Sequence, residues 1–228
     1  MIEHCFATRD QASIEAAGRI SAAIARRTSA QDRVAVVVSG GSTPTRCFVE
    51  LAATEIDWAQ IDVYLSDERW VPADHHCSNE KLVNENLLSA CAREATLHGA
   101  YREGLPIRQR CSEIDADLRQ LSFPFASVLL GMGTDGHFAS LFPDLDELTA
   151  ATKLDGETLC IPVFTDASSY PRISLTLSAL CRSDEIILLI FGDEKWQTLD
   201  RARRSDDACP VSRLLLQDLT PVHVFWAP

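Results

Sequence analysis

The sequence predicts an α/β protein: a three-layer α/β/α sandwich with a mostly parallel, Rossmann-like sheet, formed by one domain over residues 1–228. Three observations carry this prediction. Amphipathic helical stretches alternate with short apolar runs along the chain, the pattern that builds parallel sheets through helical crossovers. Two of the runs, Val34–Val38 and Ile186–Phe191, are apolar at every position, as strands covered on both faces are. Several runs end in glycine-rich or charged segments, and ligands of such sheets collect beyond the carboxyl ends of the strands.

The elements follow in order. Residues 10–27 carry Ile14, Ala17, Ile20 and Ile24 at helical spacing, with Arg26 and Arg27 at the negative end of the helix dipole. After Val34–Val38, the turn Ser39-Gly40-Gly41-Ser42-Thr43-Pro44 leads into a second helix through Cys47, Phe48, Leu51 and Ala52. Ser42 or Thr43 is placed to cap it, with Pro44 at its first position. Ile61–Leu65 is the next strand, and Ser78 caps a helix over 79–88. A helix over 107–121 precedes the strand Ser127–Leu130, which exits through Gly131-Met132-Gly133-Thr134-Asp135-Gly136-His137. Strands at 173–177, 186–191 and 222–225 and helices at 194–203 and 211–216 complete the alternation. The three strand exits at 39–43, 67–72 and 131–137 are expected to meet at one crevice.

A chain of 228 residues buries roughly 70% of the surface its unfolded form exposes, so its core needs neither disulfides nor a structural metal. With 24% charged and 46% apolar residues, the composition excludes long disorder and collagen-like or coiled-coil architecture. The net charge of −12 repels nucleic acid and anionic membrane. No apolar run approaches the roughly 18 residues of a membrane span, and the first residues lack the basic and apolar regions of a secretory signal. The expected location is cytoplasmic. The eight cysteines lie at least 14 residues apart, without C-x-x-C, and read as reduced, mostly buried thiols. Oligomeric state is not legible.

Ser39, Gly40, Gly41, Ser42 and Thr43 place glycines, hydroxyls and a helix N-terminus after a buried strand, so backbone N–H groups can point at an anion. The same residues also read as an ordinary capped turn, and they form neither a Walker loop nor a G-x-G-x-x-G motif. In Asp67-Glu68-Arg69-Trp70-Val71-Pro72, Arg69 is suited to clamp a phosphate or carboxylate, or else to pair with the adjacent acids. Ser78 and Asn79 follow, as part of the same wall or, for Ser78, as a helix cap.

The segment over 131–137 is the most informative. Gly131, Gly133 and Gly136 let backbone approach a ligand, and Asp135 and His137 stand two residues apart. A neutral imidazole can take a proton from water and deliver it to a leaving oxygen while a carboxylate orients the ring. A lone histidine is commonly structural; the glycine-rich strand exit and the neighbouring acid favour the catalytic reading. Arg172 and Lys195, each by itself a solvated charge, would form with Arg69 an anion pocket that offsets the global field. The His75-His76 pair beside Asp74 and Cys77 suggests a metal. Adjacent residues seldom ligate one ion together, however, and no second ligand cluster is evident, so no metal is assigned.

At these segments the chain resembles the 6-phosphogluconolactonase family, whose fold is shared with glucosamine-6-phosphate deaminase/isomerase. The resemblance rests on the segment over 39–44, on Asp67-Glu68-Arg69-Trp70-Val71-Pro72 with Ser78-Asn79, and on the thirteen residues 131–143, which continue as Phe138-Ala139-Ser140-Leu141-Phe142-Pro143. Arg172-Ile173-Ser174-Leu175-Thr176 and Gly192-x-x-Lys195 are similar to later phosphate-binding segments of the family. It implies hydrolysis of 6-phospho-D-glucono-1,5-lactone in the oxidative pentose phosphate pathway, with His137 as general base and Asp135 supporting it. Ser39, Gly40, Gly41, Ser42, Thr43, Asp67, Arg69, Gly133, Arg172 and Lys195 would contact the phosphorylated lactone, and no metal or cofactor would be needed. Two other functions share the fold. A deaminase/isomerase would need an acid–base group at the sugar's C2, for which Asp67 or Glu68 is available. A noncatalytic sugar-phosphate sensor normally carries a DNA-binding helix pair, and the first 30 residues read as one amphipathic helix instead.

Overall fold

Burial on both faces turns the apolar runs into the centre of a sheet. In chain order the computed structural model, which describes residues 1–121, 124–205 and 209–228, contains β1 (Ile2–Cys5), α1 (Arg9–Thr28), β2 (Val34–Val38), α2 (Thr45–Ala52), β3 (Ile61–Leu65), β4 (Asp67–Arg69) and α3 (Asn79–Asn86). It continues through β5 (Thr96–His98), α4 (Ile107–Arg119), β6 (Ser127–Leu130), α5 (Leu148–Ala151), β7 (Cys160–Val163), β8 (Arg172–Leu175) and α6 (Leu177–Leu180). The last elements are β9 (Ile186–Phe191), α7 (Asp193–Ala202), α8 (Pro210–Leu216) and β10 (Val222–Ala227).

Seven strands form one parallel sheet in the order β1-β10-β9-β6-β2-β3-β5. Successive side chains of a strand feed opposite layers. Val36 and Val38 join Ile20, Ile24, Phe48 and Leu51 from α1 and α2, while Val37 joins Leu118, Leu199 and Leu214 from α4, α7 and α8. Each such side chain contributes roughly 1.5–3 kcal/mol through burial. The result is the three-layer α/β/α arrangement. From β2 the chain proceeds outward to β3 and β5, then returns to β6 on the other side of β2 and proceeds outward through β9. The carboxyl ends of β2 and β6 therefore flank the topological switch point, where open parallel sheets bind their ligands.

Several local expectations are corrected. Ile14 is exposed; α1 packs instead through Ala12, Ala16, Ala17, Ile20, Ala23 and Ile24, because small side chains let the helix approach α2 and the sheet. Pro44 is the N-cap of α2, and neither Ser42 nor Thr43 caps it. The strand expected at 173–177 runs from Arg172 to Leu175 and leaves the main sheet: it lies between β4 and β7 in a separate antiparallel sheet. Thr176 is then free to cap α6 by accepting from the Ala179 N–H. Strands β1, β4, β5 and β7 were not expected. β4 is all charge and β7 contains Pro162, which an edge strand tolerates. Among the described residues no helix is long and apolar enough to cross a membrane.

Candidate active site

The small sheet sets the cationic wall. β4 and β8 pair antiparallel with Arg69 opposite Arg172 and Asp67 opposite Ser174. Two guanidinium-bearing residues thus face each other across one ladder. The device that holds them is Glu68, whose buried carboxylate accepts from the N–H groups of Arg69 (2.7 Å), Asn79 (2.8 Å) and Glu80 (2.7 Å) and from the Ser78 hydroxyl (2.9 Å). Burial raises its pKa, opposed by these donors. The carboxylate satisfies the first turn of α3 and rivets it to β4. Asn79, in turn, donates to the Asp67 carbonyl at 2.9 Å and lies directly over Gly40. A Cβ at that glycine would sit 1.8 Å from Asn79 Oδ1, so only glycine lets the first turn close on α3.

Arg69 donates from Nη1 to the Cys77 carbonyl at 2.5 Å, and its buried Nε has no partner among the described residues. The buried Ser39 hydroxyl is likewise unpartnered. Arg172 donates from Nε to Ser168 Oγ at 2.8 Å, lies 3.6 Å from Asp67 and sits over the Phe142 ring at 5.2 Å. Burial lowers its pKa, Asp67 opposes that shift, and the nearby Arg69 charge reinforces it. Lys195 stands in the first turn of α7, just past Gly192 at φ 88°. Its pKa is lowered by burial and then by Arg9, against Glu194. Half-buried, partly desolvated cations gathered at one cleft suit the binding of an anion.

The parallel sheet supplies the other wall. Beyond β6 the Gly133 N–H donates to the His137 carbonyl and the Gly136 N–H to the Gly133 carbonyl, with Gly136 at φ 83° closing the turn. Asp135 Oδ1 accepts from the His137 N–H at 3.1 Å and lies 2.7 Å from His137 Nδ1. A carboxylate at Nδ1 places the ring proton there and leaves the lone pair on Nε2. A Cβ at Gly133 would lie 2.3 Å from His137 Nδ1 and 2.5 Å from Asp135 Oδ1, so this glycine makes room for the pair. The ring packs at 4.3 Å against Phe142. Ala139 then takes φ 48°, a left-handed conformation that costs about 1–3 kcal/mol outside glycine, and Ser140 turns inward. Its N–H donates to Ser174 Oγ and its hydroxyl to Asp67 at 2.6 Å, which binds this exit to the small sheet.

Between the walls lies a cleft of about 250 Å³ at the switch point. Ser39, Gly40, Gly41, Ser42, Thr43, Asp67, Arg69, Gly133, His137, Arg172 and Lys195 all line it, so the structure brings together every expected site residue except one. Asp135 stands behind His137 and does not line the cleft. Asn79, Gly131, Met132 and Ala139 also line it. Asn79 thus joins the wall in which it was expected with Ser78, while Ser78 itself caps α3. The Ser140–Asp67 contact joins distant segments and leaves no local sequence signal.

A parallel α/β sheet with a hydrogen-bonded His–Asp pair and a cationic wall at its switch point is the setting of an enzyme of small, polar substrates. The chain matches the family described as glucosamine-6-phosphate isomerases/6-phosphogluconolactonase over residues 7–226, and it belongs to that family. It is 37% identical to a 6-phosphogluconolactonase of Mesorhizobium japonicum across 99% of this chain and 94% of that one. A 6-phosphogluconolactonase of Caulobacter vibrioides is also 37% identical, over 96% of this chain and 92% of its own. The crystal structure of a 6-phosphogluconolactonase from Shewanella baltica superposes with a TM-score of 0.94 at 34% identity, covering 100% of this chain and 98% of that one. A monomeric glucosamine-6-phosphate deaminase shares the fold at a TM-score of 0.79 and 16% identity.

Proposed function

We propose that this chain hydrolyses 6-phospho-D-glucono-1,5-lactone to 6-phospho-D-gluconate, the lactone-opening step of the oxidative pentose phosphate pathway, with residues 1–228 acting as one catalytic domain. The observation that carries the reading is the pairing of His137 Nδ1 with Asp135 at a cleft that Arg69, Arg172 and Lys195 also line. His137 Nε2 takes a proton from water as the water oxygen bonds to C1 of the lactone. The carbonyl electrons move onto oxygen, where N–H groups of the glycine-rich turns meet the developing charge. As the C1–ring-oxygen bond breaks, His137 returns its proton to the ring oxygen and a carboxylic acid is released, which ionises in water. Asp135 holds the ring and supports its protonated form.

The phosphate lies far from the reacting carbon. Its contacts with Arg69, Arg172, Lys195 and residues 39–43 therefore position the lactone without activating it. The unpartnered Ser39 Oγ and Arg69 Nε supply donors at that end. Locally concentrated cations counter the repulsion of a −12 chain for a phosphate dianion. The chemistry calls for no metal or cofactor. The deaminase alternative needs a free acid–base group at C2. Glu68 is occupied by four donors, and Asp67 accepts from Ser66 and Ser140. The test is to follow lactone disappearance above its spontaneous rate, alongside ammonia release from glucosamine 6-phosphate. Catalysed lactone loss without ammonia is expected; ammonia release with no effect on the lactone would replace this reading.

A further inference from the structure

Outside the catalytic pair, the turn joining β4 to α3 gathers three side chains with metal-binding atoms. The His75 N–H donates to the Pro72 carbonyl and the Ser78 N–H to the His75 carbonyl, each at 2.9 Å. This tight winding overcomes the usual divergence of neighbouring side chains: ligand atoms of His75, His76 and Cys77 all lie within 4.8 Å of one another. The two imidazoles stand 4.3 Å apart, and Tyr170 braces His75 edge-on at 5.5 Å. His76 is exposed and the other two are half-buried, so an ion can reach the group from solvent. Two imidazoles and one thiol suit a borderline-soft divalent ion, and three protein ligands leave a fourth tetrahedral position to water.

We propose that His75, His76 and Cys77 form a Zn²⁺-class site at the rim of the cleft, and that its occupation inhibits the enzyme through Arg69. On binding, the Cys77 thiol gives its proton to solvent and its sulfur bonds the ion, with no change of oxidation state. The thiolate offsets the charges of Arg69 and Lys81, which line the adjoining hollow with His76 and Cys77. That hollow, about 390 Å³, shares Gly41, Arg69 and Asn79 with the catalytic cleft. The coupling runs through Cys77. Its N–H donates to His75 Nδ1 at 3.1 Å, and its carbonyl accepts from Arg69 Nη1. An ion taking Nδ1 displaces that N–H directly, and one taking Nε2 moves the ring proton to Nδ1 and displaces it too. Either way the backbone around Cys77 loses an anchor, and Arg69 with it.

The kinetic half of this proposal rests on Arg69 being the phosphate clamp; the binding half does not. Cd²⁺ titration of the full chain, read by thiolate-to-metal absorption, should show one equivalent that Zn²⁺ displaces. Cys77→Ser should abolish the absorption, and His76→Ala, at an exposed position, should weaken binding by about tenfold or more. Zn²⁺ should raise KM for the lactone while sparing kcat, and Cys77→Ser should escape the inhibition. An absorption unchanged by Cys77→Ser, or wild-type affinity in both variants, would overturn the site. Binding as expected with KM unmoved by Zn²⁺ would overturn the coupling to Arg69. A chain without lactonase activity would still report the site through Cd²⁺.

Discussion

The two sheets of this molecule are organised by different forces. The seven-stranded sheet is held by burial: β9 runs Ile186–Phe191 with nearly every side chain inside, and its neighbours β6 and β10 are almost as apolar. The three-stranded sheet is held by polar satisfaction. Its β4 is Asp67-Glu68-Arg69, and its place depends on one carboxylate that accepts four hydrogen bonds and on Ser140 donating to Asp67. The division extends to chemistry. Exits of the large sheet carry His137 and the glycine turns, whereas the small sheet carries Arg69 and Arg172. In the proposed mechanism the apolar scaffold aims the proton-transfer group, and the charged ribbon packed against it presents Arg69 and Arg172 to the phosphate.

Substitutions on the two sides should therefore fail differently. The largest effect belongs to His137→Ala, expected to lower kcat by about 10²–10⁴-fold with the thermal transition unchanged, since it removes the proposed general base. Gly133→Ala should come next. Its new Cβ falls 2.3 Å from His137 Nδ1, and displacing the ring by about 1 Å is expected to cost about 10²-fold in kcat at unchanged net charge. On the small sheet, Arg69→Ala should raise KM by about 10–100-fold while kcat stays within a few-fold, the loss of a charge-assisted phosphate contact. A fall in kcat alone would erase the distinction between the two sheets.

The smallest effect on turnover is expected near the β1 edge of the large sheet, where pH acts on stability instead. His223 is buried on β10 between Arg19 Nη2 at 2.8 Å and His4 at 3.1 Å. Burial, then Arg19 and His4, depress its pKa to about 4 from 6.5. The folded chain holds this ring neutral, so its contribution is complete above about pH 6.5. Between about pH 6.5 and 4 the unfolded chain binds the extra proton, and stability falls with pH by at most about 3 kcal/mol. Urea midpoints across that range should drop more steeply for wild type than for His223→Asn. Equal slopes would show that the pair His4–His223 does not sense pH.

How much of this was legible follows the same division. Val34–Val38 and Ile186–Phe191 announce themselves because burial on both faces leaves a continuous apolar run. The turn with Gly133, Asp135, Gly136 and His137 is legible because its parts are sequence neighbours, so spacing alone sets them near each other. Asp67–Arg69 carries no strand propensity and becomes one only through its partners on α3 and β8. The facing of Arg69 and Arg172, the Asn79–Gly40 contact and the convergence of His75, His76 and Cys77 depend on register and turn geometry. Side-chain periodicity does not encode these. Ile14 misleads for a related reason: it keeps the helical spacing, yet the close α1–α2 contact selects Ala12 and Ala16.

At the centre of the proposed mechanism, His137 at an exit of the large sheet moves the proton, and Arg69 on the small sheet helps to hold the phosphate. Steady-state kinetics on the phosphorylated lactone, with wild type, His137→Ala and Arg69→Ala side by side and the spontaneous rate subtracted, tests it most directly. The account predicts a collapse of kcat in the first variant and a rise of KM in the second. Turnover by His137→Ala at the wild-type rate, or an Arg69→Ala enzyme that loses kcat and keeps its KM, would contradict it.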